Sequence, residues 1–200
     1  LEHVLDRFRD SVAKFGEKPA ILSGEDILSY HQLDQVSGRI AAYLSAHGIG
    51  KEDVVAVMLK HDGEIPVAIF GIMKAGAAIC VINMSYPQER IDFILQDTQA
   101  KFILNEGTYE EAKAYDGEFL APDYSLSDLA LVVYTSGSTG NPKGVLLEQH
   151  VFSRNVAASE FPLGFTSEFK WLRMFPMSFV SVIMDVIAPL VLGESLHLMP

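Results

Sequence analysis

Residues 54–82, with the sequence VVAVMLKHDGEIPVAIFGIMKAGAAICVI, decide the fold that we expect for this chain. The apolar run at 54–59 has the length and the β-branched composition of a buried strand. Helical spacing of apolar residues follows over about Glu64–Lys74, and a second apolar run covers 79–82. A strand, a helix and another strand in this order predict a βαβ unit with two parallel strands.

The same alternation of short apolar runs and helical stripes continues on both sides of this unit. Upstream we predict an amphipathic helix over 2–16, two short strands at 20–22 and 27–29, and a helix with apolar positions over 33–44. Downstream we predict a helix opened by Pro87, strands at 101–104 and 129–134, a polar surface connection over 106–127 with a short helix at 109–114, and a core strand within 170–179. The expected fold class is therefore α/β, with largely parallel sheets flanked by helices.

Composition and charge exclude several classes of protein. With 49% apolar and 20% charged residues in 200, the chain has the composition of a globular protein with a hydrophobic core. Its net charge of −11 is opposite to that of a nucleic-acid-binding protein. One cysteine and six histidines without paired metal-ligand spacing predict no metal site. No apolar stretch reaches membrane-spanning length, so we expect a cytoplasmic protein without a membrane partner.

The segment with the clearest chemistry is YTSGSTGNPKG at 134–144, directly after a predicted strand. Its glycines allow backbone N–H groups to converge on an anion, its hydroxyls add donors, and Lys143 supplies a cation. It differs from the common P-loop because Lys143 is followed by Gly144 rather than Ser or Thr. The alternative is a flexible Ser/Gly linker. The positions that we predict to contact phosphate, besides Lys143, are Thr135, Ser136, Gly137, Ser138, Thr139 and Gly140.

This segment resembles the phosphate-binding signature of the adenylate-forming enzymes, which include acyl-CoA synthetases, luciferases and the adenylation domains of nonribosomal peptide synthetases. Two further stretches are similar to elements of the peptide-synthetase branch: LSYHQL at 28–33, and MKAGAA at 73–78 continuing to SYPQERI at 85–91. The resemblance covers nearly the whole chain. It departs at 79–84, where the family usually has Tyr-Val-Pro-Leu-Asp-Pro.

The resemblance implies an ATP-dependent ligase that works in two steps. A carboxylate attacks the α-phosphate of Mg²⁺-bound ATP, and the acyl-adenylate then passes to a thiol, usually the phosphopantetheine of a carrier protein domain. It gives Lys143 a catalytic role, and it implies nonribosomal peptide or depsipeptide synthesis, such as that of antibiotics. It also implies that residues 1–200 are the N-terminal portion of an adenylation domain. The rest of the large subdomain and the C-terminal subdomain are then missing partners, without which we expect no activity.

The substrate-binding end departs from the family pattern. Peptide-synthetase adenylation domains carry an Asp that pairs with the substrate's α-ammonium, thirteen residues before a helix-ending Gly. Val180 is thirteen residues before Gly193, whereas Asp185 is eight before it, and on an α-helix Met184 rather than Asp185 shares the face of Val180.

Burying an ammonium against an apolar side chain without a counter-charge would cost several kcal/mol. The pattern therefore predicts an acid that lacks an α-ammonium, with an α-keto or α-hydroxy acid favoured over an aryl or aliphatic one. The pocket residues that we predict are Phe179, Val180, Ser181 and Met184.

Three alternatives remain open at this point. Val180 could be ordinary helix core, with an acidic residue beyond position 200 pairing with an amino-acid substrate. The protein could instead be a free-standing acyl- or aryl-CoA ligase, which free-CoA turnover would identify. It could also be a catalytically inactive scaffold module that keeps the fold.

Overall fold

The computed structural model describes residues 1–135, 142–163, 170–173 and 176–198. Helices and strands alternate along these residues, as the sequence predicts. The strands are β1 (Pro19–Ser23), β2 (Asp26–Ser29), β3 (Val54–Met58), β4 (Ala78–Val81), β5 (Phe102–Asn105), β6 (Leu129–Thr135), β7 (Lys143–Glu148), β8 (Lys170–Arg173) and β9 (Ser195–Leu198). The helices are α1 (Val4–Phe15), α2 (Tyr30–Ala46), α3 (Glu64–Lys74), α4 (Gln88–Thr98), α5 (Glu106–Ala114), α6 (Gln149–Leu163), a π-helix, π1 (Ile183–Ile187), and α7 (Ala188–Val191).

The strands of the described residues form two sheets. One sheet has the order β5-β3-β4-β6-β7, in which β7 is antiparallel to β6 and the other neighbours are parallel. The second has the order β2-β1-β9-β8, in which β2 is antiparallel to β1 and the other neighbours are parallel. The prediction of an α/β fold with largely parallel sheets and flanking helices is confirmed.

The predicted βαβ unit is present as β3, α3 and β4. β3 and β4 pair in parallel from Val54↔Ala78 to Val57↔Val81. Val55 and Val57 pack into the main core, whereas Val54 packs into a second apolar cluster on the opposite face of the sheet. Because both faces are covered, this strand reads in the sequence as a continuous apolar run rather than an alternating one.

Helices α2 and α3 approach each other closely at Gly71. A methyl group at this position would lie 2.5 Å from Ile40 Cγ2, so the contact has room for a hydrogen atom only. At the end of α3, Lys74 Nζ donates hydrogen bonds to Asp34 Oδ1 at 2.6 Å and to the Asp34 carbonyl at 2.8 Å. The C-terminal end of α3 is thereby fixed to α2, so the loop that leads to β4 starts from a defined position.

Several element boundaries differ from the predictions. Pro87 is the N-cap residue of α4 rather than its first helical residue. α5 starts at Glu106 because Asn105 and Thr108 form a capping box that the sequence interpretation missed. Within the predicted strand at 170–179, β8 covers only Lys170–Arg173, and residues 177–181 form turns and a bend. Among the described residues, no helix combines the length and the apolar character needed to cross a membrane.

We predict that Gly71→Ala destabilises the protein by about 1–3 kcal/mol, because the added methyl group overpacks the contact with Ile40. Gly38→Ala in α2 is the matched control, since a methyl group there would meet no atom within 4 Å. Removing a helical glycine without a clash stabilises by about 0.5–1 kcal/mol. Urea unfolding of both variants measures the difference, and equal stabilisation by the two substitutions would contradict the described packing.

Candidate functional site

The two ends of the predicted phosphate-binding segment form the base of a β-hairpin. Thr135 at the end of β6 pairs with Lys143 at the start of β7, and Tyr134 pairs with Gly144. The predicted contacts Ser136, Gly137, Ser138, Thr139 and Gly140 lie outside the described residues, in the connection between these two strands. A strand follows the signature directly, whereas a common P-loop is followed by a helix.

Thr135 and Lys143 lie side by side at this base. Directly opposed residues of an antiparallel pair point to the same face of the sheet, and Thr135 continues the face of Leu131 and Val133, which pack into the main core. Both Thr135 and Lys143 are exposed, since they lie past the end of that core. The structure therefore brings together a hydroxyl and a cation at one edge of the five-stranded sheet.

A cavity of about 630 Å³ lies at the same edge. The strands β3, β4 and β6 are parallel, so their carboxyl ends meet there, and in open α/β sheets ligands bind beyond the carboxyl ends. The cavity extends to the end of β8 in the other sheet and to the residues just before Phe179. Its lining includes Leu59 and Lys60 after β3, Asn83 and Met84 after β4, Leu172 and Arg173 of β8, and Pro176, Met177 and Ser178.

An ion pair at the wall of this cavity connects the two sheets. Arg173 Nη1, on a side chain that is only 7% exposed, lies 3.0 Å from Asp62 Oδ2 in the segment after β3. A guanidinium buried to this extent needs a partner, and Asp62 supplies one. The pair holds the end of β8 against the end of β3. Sequence reasoning missed Lys60, Asp62, Asn83 and Arg173, although the first three follow predicted strands.

The predicted substrate-binding residues follow Ser178, the last lining residue of this cavity in the chain, and they lie in two different environments. Phe179 and Val180 are 52% and 51% exposed, an unusual state for large apolar side chains. Met184 is partly buried, and its Sδ accepts a 3.6 Å hydrogen bond from Ser159 Oγ of α6. Ser181 is partly exposed, and its carbonyl accepts hydrogen bonds from the backbone N–H groups of residues 184 and 185.

The helical geometry assumed for this segment is not the one observed. Val180 lies in a turn that precedes the helix, and π1 replaces the first α-helical turns. The α-helical spacing that put Val180 and Met184 on one face therefore does not apply. π-helical segments are rare and often occur at functional sites. Asp185 is in π1, and its Oδ2 is buried without a hydrogen-bond partner among the described residues.

Comparison with known proteins agrees with the predicted resemblance. Residues 8–121 and 105–200 match the family described as AMP-binding enzyme. Tyrocidine synthase 3 of Brevibacillus parabrevis is 32% identical over 206 residues, which cover 94% of this chain and 3% of the synthase. The chain therefore spans a small part of this curated relative.

Solved structures share the fold. The N-terminal subdomain of NpsA from Klebsiella oxytoca, in complex with 3-hydroxybenzoyl-AMSN, matches 100% of this chain with a TM-score of 0.89 and 24% identity, and 54% of the subdomain is covered. An artificially fused adenylation–PCP di-domain from the same organism, NpsA-ThdA, matches with a TM-score of 0.89 and 24% identity, covering 100% of this chain and 43% of that one. The family match agrees with the signature at 134–144 and with the fold. The chain therefore belongs to the AMP-binding enzyme family.

Proposed function

We propose that the protein activates a carboxylic acid with ATP as an acyl-adenylate. The observation that carries this proposal is the position of the signature at 134–144, whose residues Thr135 and Lys143 lie on one face where β6 ends. The parallel strands β3 and β4 end at the same edge of the sheet, and the residues that follow them line a cavity. Both side chains are exposed there and have the donors that a phosphate chain needs.

The chemistry requires stabilisation of charge more than it requires a nucleophilic side chain. An oxygen of the substrate carboxylate attacks the α-phosphorus, the bond from that phosphorus to the bridging oxygen breaks, and pyrophosphate leaves with the electron pair. Charge accumulates on the departing phosphates, where Lys143, the hydroxyl of Thr135 and the donors of residues 136–140 would bind it. Mg²⁺, when bound to ATP, neutralises part of the same charge, and we assign none of the described residues as its ligand.

The acyl group then passes to the phosphopantetheine thiol of a carrier protein domain in this proposal. Support comes from the structural match to an artificially fused adenylation–PCP di-domain and from the curated relative, tyrocidine synthase 3. In the thiol-transfer step the sulfur forms a bond to the acyl carbon, and the single bond from that carbon to the phosphate oxygen of AMP breaks. AMP leaves with the electron pair of that bond, and the thiol proton is released to solvent. A free-standing CoA ligase would perform the same step with free CoA. Comparing free CoA with a carrier domain as the acceptor thiol therefore distinguishes the two proposed functions.

We propose further that the substrate lacks an α-ammonium group, and that an α-keto or α-hydroxy acid is the favoured class. Val180 occupies the position where peptide-synthetase adenylation domains carry the Asp that pairs with this group. It is half-exposed beside Phe179, which fits a surface that another part of the domain or a substrate covers. The related NpsA subdomain was solved with a hydroxybenzoyl analogue, an acyl group without an α-amino substituent.

One observation favours an α-amino acid as the second candidate. Asp185 Oδ2 is buried without a donor among the described residues, and Asp185 lies in π1 rather than in an α-helix. The α-helical spacing that turned Asp185 away from Val180 therefore does not apply. Loss of amino-acid activation in Asp185→Asn would support this second reading.

We also propose that residues 1–200 are the N-terminal portion of an adenylation domain whose remaining part completes the pocket. The chain covers about half of the matched NpsA subdomain, and the side chains of Phe179 and Val180 are exposed, as we expect if that remaining part packs against them. Experiments on activity therefore need the longest natural protein that contains this segment. Detectable adenylation by residues 1–200 alone would contradict this proposal.

For Lys143→Ala we predict a fall of about 10²- to 10³-fold in ATP–pyrophosphate exchange, because one charged donor to the departing phosphates is lost. Lys170→Ala is the matched control, since Lys170 also begins an edge strand, β8, and is exposed. The control should keep the wild-type rate. An equal loss in both variants, or in neither, would contradict the assigned role of Lys143.

For the wild-type protein we predict exchange with an α-keto or α-hydroxy acid and not with its α-amino partner. The panel contains the three forms of leucine, valine and phenylalanine, together with benzoates. Val180→Asp should then raise exchange with the amino acid roughly tenfold or more, because a carboxylate next to the substrate ammonium supplies the missing charge. Leu146→Asp, on the exposed side of β7, controls for the added charge alone.

The outcomes of this panel distinguish between the proposed substrate class, an inactive scaffold and a CoA ligase. Strong wild-type exchange with an amino acid would overturn the interpretation of Val180. No exchange with any acid would favour the inactive scaffold. Thioester formation with free CoA, but not with a carrier domain, would favour the CoA ligase.

A further inference from the structure

The tyrosine that opens the signature is on the opposite side of the sheet from Lys143. Successive residues of a strand point to opposite faces, so Tyr134 faces away from Thr135 and packs with the second apolar cluster. Its hydroxyl donates a 2.7 Å hydrogen bond to Asp97 Oδ2 in the last turn of α4. The edge of the Phe93 ring, also on α4, meets the tyrosine ring with centroids 6.5 Å apart and an interplanar angle of 86°.

Asp97, which accepts this hydrogen bond, is a carboxylate at an electrostatically unfavourable position. A carboxylate at the C-terminal end of a helix is opposed by the helix dipole, and Asp97 has no salt bridge among the described residues. The Tyr134 hydroxyl is the donor that stabilises it. Burial, followed by the hydrogen bond to Asp97, raises the pKa of Tyr134, so the hydroxyl stays protonated and can donate at every physiological pH.

The same tyrosine also contacts the second strand of the hairpin. A methyl group at Gly144 would lie 3.2 Å from Tyr134 Cζ and 3.3 Å from the hydroxyl oxygen, so the ring lies across the backbone of β7. Gly144 directly follows Lys143. Tyr134 thus belongs to β6, packs on β7 next to the proposed catalytic lysine, and is hydrogen-bonded to α4.

We propose that Tyr134 is a positioning residue for the phosphate-binding segment, acting through its hydrogen bond to Asp97. The bond fixes the base of the hairpin to α4, and this sets where Thr135 and Lys143, the next pair towards the connection between β6 and β7, meet the nucleotide. The inference rests on the proposed binding of ATP phosphates by this segment. Misplacement of a binding group by about 1 Å costs up to about 10²-fold in rate, so an anchor at the base of the loop affects the reaction.

The test compares Tyr134→Phe with Tyr43→Phe in the longest natural protein that contains this segment. Tyr43 is the matched control because its hydroxyl also donates a 2.7 Å hydrogen bond to a helix carboxylate, Glu111 Oε2, which links α2 to α5. We expect Tyr134→Phe to weaken Mg-ATP binding, measured by calorimetry, and to raise the KM for ATP roughly fivefold to tenfold. The KM for the acid should stay unchanged, and Tyr43→Phe should keep both values.

Two substitutions of Asp97 separate positioning from folding. Asp97→Asn keeps an acceptor for the tyrosine hydroxyl, so we expect Mg-ATP binding within about twofold of wild type. Asp97→Ala removes the acceptor and should reproduce the effect of Tyr134→Phe. A purely structural role would lower kcat in proportion to the folded fraction and leave the KM for ATP unchanged.

The outcomes distinguish this inference from the proposed function. Wild-type protein that binds Mg-ATP, together with Tyr134→Phe protein that binds it equally well, overturns the inference and leaves the proposed function intact. Weakened binding in Tyr134→Phe, without exchange by the wild type on any acid, supports the inference and overturns the acid activation. Wild-type protein that does not bind Mg-ATP overturns both.

Discussion

Parallel pairing of β4 with β6, through Ile79 and Leu131, joins the βαβ unit to the strand that carries the signature. Because β3, β4 and β6 run in the same direction, their carboxyl ends share one edge, and Thr135 is the last residue of β6 at that edge. The main core on one face of the sheet and the cluster under α4 on the other hold the edge in place. If this pairing slipped by one residue, the side chains of β6 would exchange faces. Lys143 and Tyr134 would then lose their separate environments.

The electrostatics of the site are local rather than global. A chain with a net charge of −11 repels a triphosphate at long range, so binding depends on groups that act at hydrogen-bond distance. On the side of the sheet that we propose to face the nucleotide, Lys143 and Thr135 provide a cation and a hydroxyl. On the other side, the Tyr134 hydroxyl donates a hydrogen bond to Asp97 of α4.

Local sequence patterns predicted those parts of the molecule that depend on neighbouring residues. The run at 54–59, the helix that follows it and the signature at 134–144 were readable because burial, periodicity and turn chemistry act over short distances. Sequence patterns did not predict two other features, the antiparallel pairing of β7 with β6 and the contact between Arg173 and Asp62, which are 111 positions apart. Both features depend on long-range packing. The prediction of an α-helix after Val180 is wrong, because a π-helix has no simple sequence pattern that distinguishes it from an α-helix.

We propose that the face shared by Thr135 and Lys143 binds the phosphate chain of ATP. A crystal structure of the longest natural protein that contains this segment, with a nonhydrolysable Mg-ATP analogue, tests it most directly. We expect phosphate oxygens at roughly 3 Å from Lys143 Nζ and Thr135 Oγ1, with the rest of the nucleotide at the carboxyl edge of the five-stranded sheet. A triphosphate bound elsewhere, with Lys143 and Thr135 facing solvent, would contradict it.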